Sequence, residues 1–321
     1  MPRRSTTRSR PRRSERRLEI RVHSPRIFGF GLLRLGKRTL KLALILAVLG
    51  VAGWGAQIGL RRFFIENEEF RLQEIELVTN GCMTERHFGE LTGIDPAASV
   101  FAIKLGEIRR QLEAIPGIVR VEASRRLPGT LRIRVEERLP VAWVECRPLG
   151  VLGRDEASGL LVDQEGFCFP CQPWWSGLGQ TLPVVMISEA EQGEVAPGQK
   201  LHHREGLRGL SLVCLSARVL QAEGWSLPVV AVQNDFSLRA ATSEGAWATF
   251  GMYEHERQLK DLMVVRNYAA SRQHGLAEAN LIPTRNTPVR FAEPGRTPRH
   301  KMWRSPENRL ERDIQAILNR S

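Results

Sequence analysis

The sequence predicts an α+β protein that is anchored by a single transmembrane helix and carries two domains after it. Three observations indicate this fold class. Residues 42–60 are apolar and uncharged, residues 70–138 show the order strand–helix–helix–strand–strand, and residues 139–292 contain short strands together with one long helix. An apolar period of two indicates a strand, whereas a period near 3.6 indicates a helix.

The apolar segment has the length of a membrane span. Residues 42–60 are nineteen consecutive positions without Asp, Glu, Lys or Arg. At about 1.5 Å per residue they extend roughly 28 Å, close to the hydrocarbon thickness of a bilayer. Basic residues flank the segment on both sides, with Lys41 before it and Arg61 and Arg62 after it. Such flanks disfavour a buried core helix, and the apolar run is longer than that of a cleaved signal peptide.

Nearly all of the net charge of +12 lies in the N-terminal part of the chain. Residues 1–38 contain thirteen Lys and Arg residues against Glu15 and Glu19, which leaves 34 basic and 33 acidic residues in the rest of the chain. A folded nucleic-acid-binding module would carry its own basic surface. The charge distribution therefore disfavours nucleic acid as a partner, although DNA binding by the tail is an alternative.

The basic N-terminal part predicts both disorder and orientation. Residues 2–17 have no apolar side chains other than proline, so they cannot bury enough surface to offset chain entropy. We predict that residues 1–41 form a disordered cytoplasmic tail. Because loops rich in Lys and Arg stay on the cytoplasmic side, residues 61–321 are expected outside the cytoplasm.

The first predicted domain begins with a strand and a short helix. Ile75, Leu77 and Thr79 alternate with Glu74, Glu76 and Val78 before an Asn-Gly turn, which is typical of a half-buried strand. Thr84 can cap a helix that ends at Gly93, and Phe88 and Leu91 share one face of it.

A second helix and a hairpin complete this domain. Ile108, Leu112 and Ile115 recur at helical spacing before a Pro-Gly stop. Residues 119–123 and 131–135 then alternate apolar with polar side chains on either side of a Leu-Pro-Gly turn. One sheet face is expected to pack on the two helices, with the charged face toward water.

The segment IPGIVRVEASRRLPGTLRIRVEERLPVAWV (residues 115–144) resembles the POTRA domain of the FtsQ/DivIB family where it continues into the next domain. Gly117 and Leu127 stand where that family usually has tryptophan. An unrelated α+β domain with a Pro-Gly hairpin is the alternative. The positions that match the family pattern are Pro116, Val119, Arg125, Pro128, Leu131, Ile133, Val135, Glu137, Arg138, Pro140 and Ala142.

The second domain is predicted at residues 139–292 and is rich in strands. Its segment LLVDQEGFCF (residues 160–169) resembles a hairpin of the same family, with Asp163 and Gly166 at the turn. The order of elements resembles that family's second, β-rich domain. Strands are predicted at residues 142–144, 160–162, 167–169, 182–187, 229–232 and 236–240.

The spacing of apolar residues also predicts two helices and a last pair of strands in the second domain. A helix is predicted at residues 215–224, and the longest soluble helix at residues 254–275. Residues 281–284 and 289–291 are predicted to pair as strands around Arg285-Asn286.

The C-terminal tail, residues 293–321, is predicted to contain a short amphipathic helix. Ser305 can cap it, and Leu310, Ile314 and Ile317 lie on one face. The helix either binds a partner or lies on its own domain.

No catalytic, metal or cofactor site is expected. His255-Glu256 does not continue into H-E-x-x-H, and no phosphate-binding glycine loop follows a strand. Cys168 and Cys171 form a C-x-x-C pair, which can be a redox centre, half of a zinc site or a structural disulfide. The pair follows a predicted strand and has no second C-x-x-C. The sequence favours a disulfide, with free thiols and a redox centre as alternatives.

The family resemblance implies a non-enzymatic component of the bacterial division machinery in the inner membrane at the septum. It implies FtsB and FtsL as partners of the second domain, and FtsK or other upstream division proteins as partners of the POTRA domain. In this family the last strand offers its edge to FtsB, and the matching positions are Val289, Arg290 and Phe291. The alternatives are another POTRA-bearing envelope assembly or translocation factor and a membrane-anchored enzyme.

Overall fold

The computed structural model describes residues 25–65, 67–220, 224–292 and 309–319. The chain separates into two compact units, residues 1–63 and residues 64–321. The predicted α+β fold class is confirmed.

The N-terminal unit is dominated by one long helix. Helix α1 spans Pro25–Phe64, and its part from Leu40 to Leu60 is long and apolar enough to cross a membrane. The prediction of disorder is wrong for residues 25–41, which are helical, while residues 1–24 lie outside the described residues. Extending an existing helix is far easier than nucleating one, so the apolar segment propagates the helix into its basic flank.

The first domain has the predicted order β-α-α-β-β. Strand β3 lies in the middle of a three-stranded sheet, parallel to β1 and antiparallel to β2. The bounds are β1 Glu74–Thr79, α2 Glu85–Thr92, α3 Leu105–Glu113, β2 Ile118–Arg126 and β3 Thr130–Glu137.

Local signals in this domain act as predicted, with one exception. The Thr84 hydroxyl accepts a hydrogen bond from the His87 backbone N–H, and Gly93 ends α2 with a left-handed backbone. Phe88 is fully buried, whereas Leu91, which was predicted to share its face of the helix, is 41% exposed. The short α2 buries only the turn that faces the sheet.

The described residues of the second domain form one sheet of ten strands. The order of its strands is β13-β12-β11-β10-β9-β7-β4-β5-β6-β8. The bounds are β4 Pro140–Glu145, β5 Leu160–Asp163, β6 Phe167–Pro170, β7 Val184–Met186, β8 Gln199–Lys200, β9 Val229–Asn234, β10 Ser237–Ala241, β11 Trp247–Gly251, β12 Leu276–Asn280 and β13 Val289–Phe291.

Helices cover both faces of this sheet. Helices α5, Arg204–Leu220, and α6, His255–Ser271, pack on one face. The short α4, Ser176–Gly179, lies against Trp143, which belongs to the apolar cluster of the opposite face. Helix α7, Arg309–Leu318, packs on the opposite face against β9. Of the two alternatives for the C-terminal helix, the structure has the one in which it lies on its own domain. Its predicted cap, Ser305, lies outside the described residues.

Helix α5 starts eleven residues earlier than the sequence predicts. Gly206 and Gly209 lie in the part of α5 that was not predicted, and both are buried where α5 approaches the sheet. A Cβ on Gly206 would lie 2.7 Å from Ile187 Cδ1, and one on Gly209 would lie 3.2 Å from Val185 Cγ1. The glycines therefore allow close packing of the helix on the sheet.

One predicted strand is misplaced. Residues 281–284 are not a strand, and the partner of β13 is β12, Leu276–Asn280. Ala279 is fully buried under α6, so a short, alanine-containing strand fits where β-branched residues would not. Pro283 has no N–H to give to a ladder. Strand β11, which pairs with β12 in parallel, was not predicted.

Candidate partner-binding edge

The three predicted site residues form the last strand of the ten-stranded sheet. Among the described residues, strand β13, Val289–Phe291, pairs with β12 alone and lies at one end of the strand order. An end strand presents main-chain N–H and C=O groups that a further strand can pair with. We call the free side of β13 the open edge.

The turn between β12 and β13 fixes the register of the open edge. Asn280 Oδ1 accepts a hydrogen bond from the Ile282 N–H at 3.2 Å, and Leu281 N–H donates to Thr249 O of β11 at 2.8 Å. Asn286 has a φ of 55°, a left-handed conformation that asparagine adopts more readily than most residues. The Arg285-Asn286 segment is therefore a turn, as the sequence predicts.

The hydrogen bonds between β13 and β12 show which main-chain groups are already paired, and the remaining groups face the open edge. Pro288 O accepts from Asn280 N–H at 2.9 Å, and Ala292 N–H donates to Gly275 O at 2.7 Å. Arg290, which lies between them, pairs with Glu278. In an antiparallel pair, alternate residues direct both main-chain groups toward the neighbouring strand.

It follows that the intervening residues direct their N–H and C=O groups outward. Val289 and Phe291 each present one donor and one acceptor to the open edge. These four groups are spaced to receive an extended peptide.

One side of the open edge is apolar. Val289 packs against the core beneath α6, and the Phe291 ring centroid lies 6.2 Å from that of Tyr268 and 6.1 Å from that of His274. On α6, Tyr268 is 53% exposed and Val264, one turn earlier, is 68% exposed. Neither exposed α6 residue was singled out from the sequence, because apolar residues of a long helix are expected to face the core.

The other side of the open edge is charged. Arg290 Nη2 lies 2.9 Å from Glu278 Oε2, and Arg239 Nη1 lies 2.8 Å from Glu278 Oε1. Two guanidinium groups thus share one carboxylate across β10, β12 and β13. The side chain of Arg290 is 51% exposed, so its guanidinium group is accessible from the open edge.

The C-x-x-C pair is not bridged in the structure. Cys168 lies in the core under α5, whereas Cys171 packs against the cluster on the opposite face. Residues three apart on an extended strand point to opposite faces, so the favoured disulfide was wrong.

Burial also explains why these thiols are poorly suited to redox chemistry. It raises the pKa of Cys168 to about 12 and that of Cys171 to about 11, with smaller contributions from Asp163 and Glu156 respectively. A redox-active cysteine needs a lowered pKa. Within the described part of the chain, no three His, Cys, Asp or Glu residues are grouped so that they could hold a metal ion.

Comparison with known protein families matches residues 70–138 to the POTRA domain, FtsQ-type. A search of curated proteins finds no match. The matched residues are those that form the β-α-α-β-β unit of the structure. The chain thus carries an FtsQ-type POTRA domain, and this match supports its assignment to the FtsQ/DivIB family.

Proposed function

We propose that this protein is a non-enzymatic scaffold of the bacterial division machinery, which binds FtsB and FtsL through the open edge of β13. The family of the POTRA domain and the apolar segment of α1 support a bitopic membrane protein of cell division. The observation that carries the proposal is the outward direction of the main-chain groups of Val289 and Phe291.

Strand addition is the binding mode that this edge supports. Main-chain hydrogen bonds to Val289 and Phe291 supply affinity, and the flanking side chains select the sequence of the partner. An added strand would place alternate side chains against Phe291 and Tyr268 on one side and against Arg290 on the other. We therefore expect the bound segment of FtsB or FtsL to alternate apolar and acidic residues.

The proposed orientation follows from the charge of the N-terminal part. Thirteen basic residues in residues 1–38 support a cytoplasmic N-terminus, with residues 61–321 in the periplasm. There the POTRA domain is available to upstream division proteins such as FtsK, and the open edge to FtsB and FtsL at the septum. Protease added to spheroplasts should digest the chain beyond Arg62.

A proline scan of β13 tests the proposal. Val289→Pro removes an N–H that faces the open edge, and the full-length variant should lose at least about tenfold in affinity for a co-purified FtsB–FtsL complex. Val289→Ala keeps that N–H and is the matched control, so it should retain binding. Arg290→Pro removes an N–H that faces β12 and reports on the strand pair itself.

Folding and binding are separated by a second measurement. Each variant is compared with the unchanged protein by circular dichroism in detergent. Equal binding by a folded Val289→Pro variant and by the unchanged protein would rule out strand addition at β13.

A further inference from the structure

A pocket of about 520 Å³ lies between the C-terminal half of α5 and the sheet. Val141, Pro183 and Pro228 line it at the amino-terminal ends of β4, β7 and β9, which are parallel neighbours in the sheet. Pockets that bind small molecules commonly have volumes of about 300–1,000 Å³. This space, which we call the α5 pocket, therefore has room for a small ligand.

The sequence of α5 explains why this space is not filled. Gly206 and Gly209 bring the first half of the helix close to the sheet. In the second half, Cys214, Ser216 and Ala217 line the pocket with small side chains. Protein interiors are normally close-packed, and a leucine at one of these positions would fill part of the space. The pocket is therefore a product of the residues that α5 carries.

The inner wall of the α5 pocket is apolar and its mouth opens to solvent. Val213 and Leu227 are almost fully buried in the wall, and Leu182 is half-buried. Thr181 and Ala217, which also line the pocket, are exposed. Such a wall favours a ligand with an apolar body, because burial removes apolar surface from water.

A cation lies at the mouth of the pocket. Arg218 lines the pocket and is exposed, and the described lining residues include no Asp or Glu. Glu256 of α6 is paired with Lys260, with 2.7 Å between Nζ and Oε1, and is not the ion-pair partner of Arg218. Burial raises the pKa of the Cys214 thiol, and the charge of Arg218 partly offsets that rise. The guanidinium group is therefore close enough to act on a group inside the pocket.

A buried donor in the pocket wall lacks a partner. Trp225 is 3% exposed, and its indole Nε1 has no hydrogen-bond acceptor in the described part of the chain. The guanidinium group of Arg266 lies 4.7 Å from the centroid of the Trp225 ring. Native structures rarely leave a buried N–H without an acceptor. The pocket thus combines a cation with an unpaired donor, and both favour a ligand that carries acceptor oxygens.

We propose that the α5 pocket binds small amphipathic monocarboxylates, with the apolar body against Val213 and Leu227 and the carboxylate at Arg218. One guanidinium group matches one carboxylate in charge and in the geometry of its paired N–H groups. This site goes beyond the role proposed for the open edge and does not depend on it. Strand β13 lies four positions away from β9 in the sheet.

Protection of Cys214 from alkylation tests the site in the full-length protein in detergent. The probe is 4-phenylbutyrate, a water-soluble carboxylate with an aromatic body, and its neutral counterpart is 4-phenylbutanamide. The rate of reaction of each cysteine with N-ethylmaleimide is followed by mass spectrometry. At about 5 mM, 4-phenylbutyrate should slow alkylation of Cys214 about sixfold if its Kd is about 1 mM, and the amide should have little effect. Cys82, which is exposed in the POTRA domain, is the internal control and should keep its rate.

Two substitutions separate binding in the pocket from other effects of the probe. Arg218→Gln should reduce the protection of Cys214 by 4-phenylbutyrate to that given by the amide. Protection is expressed relative to the rate of the same variant without probe, because Arg218 also acts on the thiol. Ala217→Leu should fill the pocket and abolish protection, whereas Ser211→Leu, at an exposed position of α5 outside the pocket, should retain it.

A second reporter makes each outcome decisive. Thr181→Cys places a thiol at the exposed mouth of the pocket, so that slow reaction of the half-buried Cys214 does not hide the result. The absence of protection at both reporters would overturn the proposal. Equal protection by 4-phenylbutyrate and its amide would also overturn it, as would protection that survives Ala217→Leu.

Discussion

Arg138 at the end of the POTRA domain donates a hydrogen bond of 2.9 Å from Nη1 to Asp163 Oδ2 in the second domain. Its guanidinium group also lies 3.7 Å from the centroid of the Phe167 ring. The other carboxylate oxygen of Asp163 accepts hydrogen bonds from the N–H groups of Glu165 and Phe167. One aspartate therefore shapes the β5–β6 turn and holds the arginine of the preceding domain.

Asp163→Asn should weaken the joint between the domains. The side chains of Arg138 and Asp163 are only 20% and 10% exposed, so the substitution leaves a mostly buried arginine without its charged partner. We expect the free energy of unfolding to fall by about 1.5–3 kcal/mol, measured by urea denaturation in detergent. The control variant Glu113→Gln removes the exposed ion pair with Arg109 within α3. It should change the free energy of unfolding by about 0.5 kcal/mol or less. Equal losses in both variants would contradict a buried joint.

The sequence predicts single elements of this joint but not their contact. Arg138 and Asp163 both lie in segments that resemble the FtsQ/DivIB family, yet nothing in the alternation of either segment brings them together. Tertiary packing also explains the two largest errors of the sequence prediction, which are the start of α5 and the strand that pairs with β13. The start of α5 contains Gly206 and Gly209, whose place in a helix is explained only by its close approach to the sheet. Strand β12 has too few β-branched residues to be recognised alone.

The edge of the sheet was easier to predict, for a local reason. A turn at Arg285-Asn286 followed by Val289–Phe291 is readable from neighbouring residues. The role proposed for this strand comes from the family resemblance. The exposed face of α6 was not readable, because exposure of Val264 and Tyr268 depends on where the sheet ends. Single-sequence patterns report which residues alternate, but not which strand lies at the end of a sheet.

Gly81→Ala should destabilise the POTRA domain. A Cβ on Gly81 would lie 2.6 Å from Glu137 Oε1, and Glu137 is buried, accepting hydrogen bonds from Met83 N–H at 3.0 Å and from the Thr79 hydroxyl. Relieving the overlap requires the carboxylate to leave its donors. We expect a loss of about 1–3 kcal/mol in the free energy of unfolding, measured by urea denaturation.

Gly89→Ala is the matched control for this substitution. No atom lies within 4 Å of a Cβ on Gly89, which is inside α2. Alanine favours helix over glycine, so this variant should be more stable by roughly 0.5–1 kcal/mol. Identical stability of the two variants would show that Glu137 moves aside freely.

Leu46→Arg should impair membrane integration. Leu46 lies within the apolar part of α1, where an arginine costs about 2.5–3.5 kcal/mol on an insertion scale. Carbonate extraction of membranes should therefore release more of this variant than of Leu46→Ala. Integration equal to that of the alanine variant would remove this segment as the anchor.

Cys168 and Cys171 should behave as protonated, unreactive thiols over the physiological pH range. Their raised pKa values, about 12 and about 11, leave little thiolate at pH 8, where an unfolded cysteine with a pKa near 8.5 is already partly ionised. Alkylation in the folded protein should be at least about a hundredfold slower than after unfolding in urea, as followed by mass spectrometry.

The raised thiol pKa values also predict how stability and alkylation rate change with pH. Because the folded state keeps the thiol protons that the unfolded state loses above pH 8.5 or so, the free energy of unfolding should fall as the pH rises from there toward 11. The alkylation rate of each folded thiol should rise through pH 9 without a plateau, since the thiolate fraction is still far from saturation. A plateau below pH 9, or a mass change on treatment with reductant, would restore the redox or disulfide alternative for this pair.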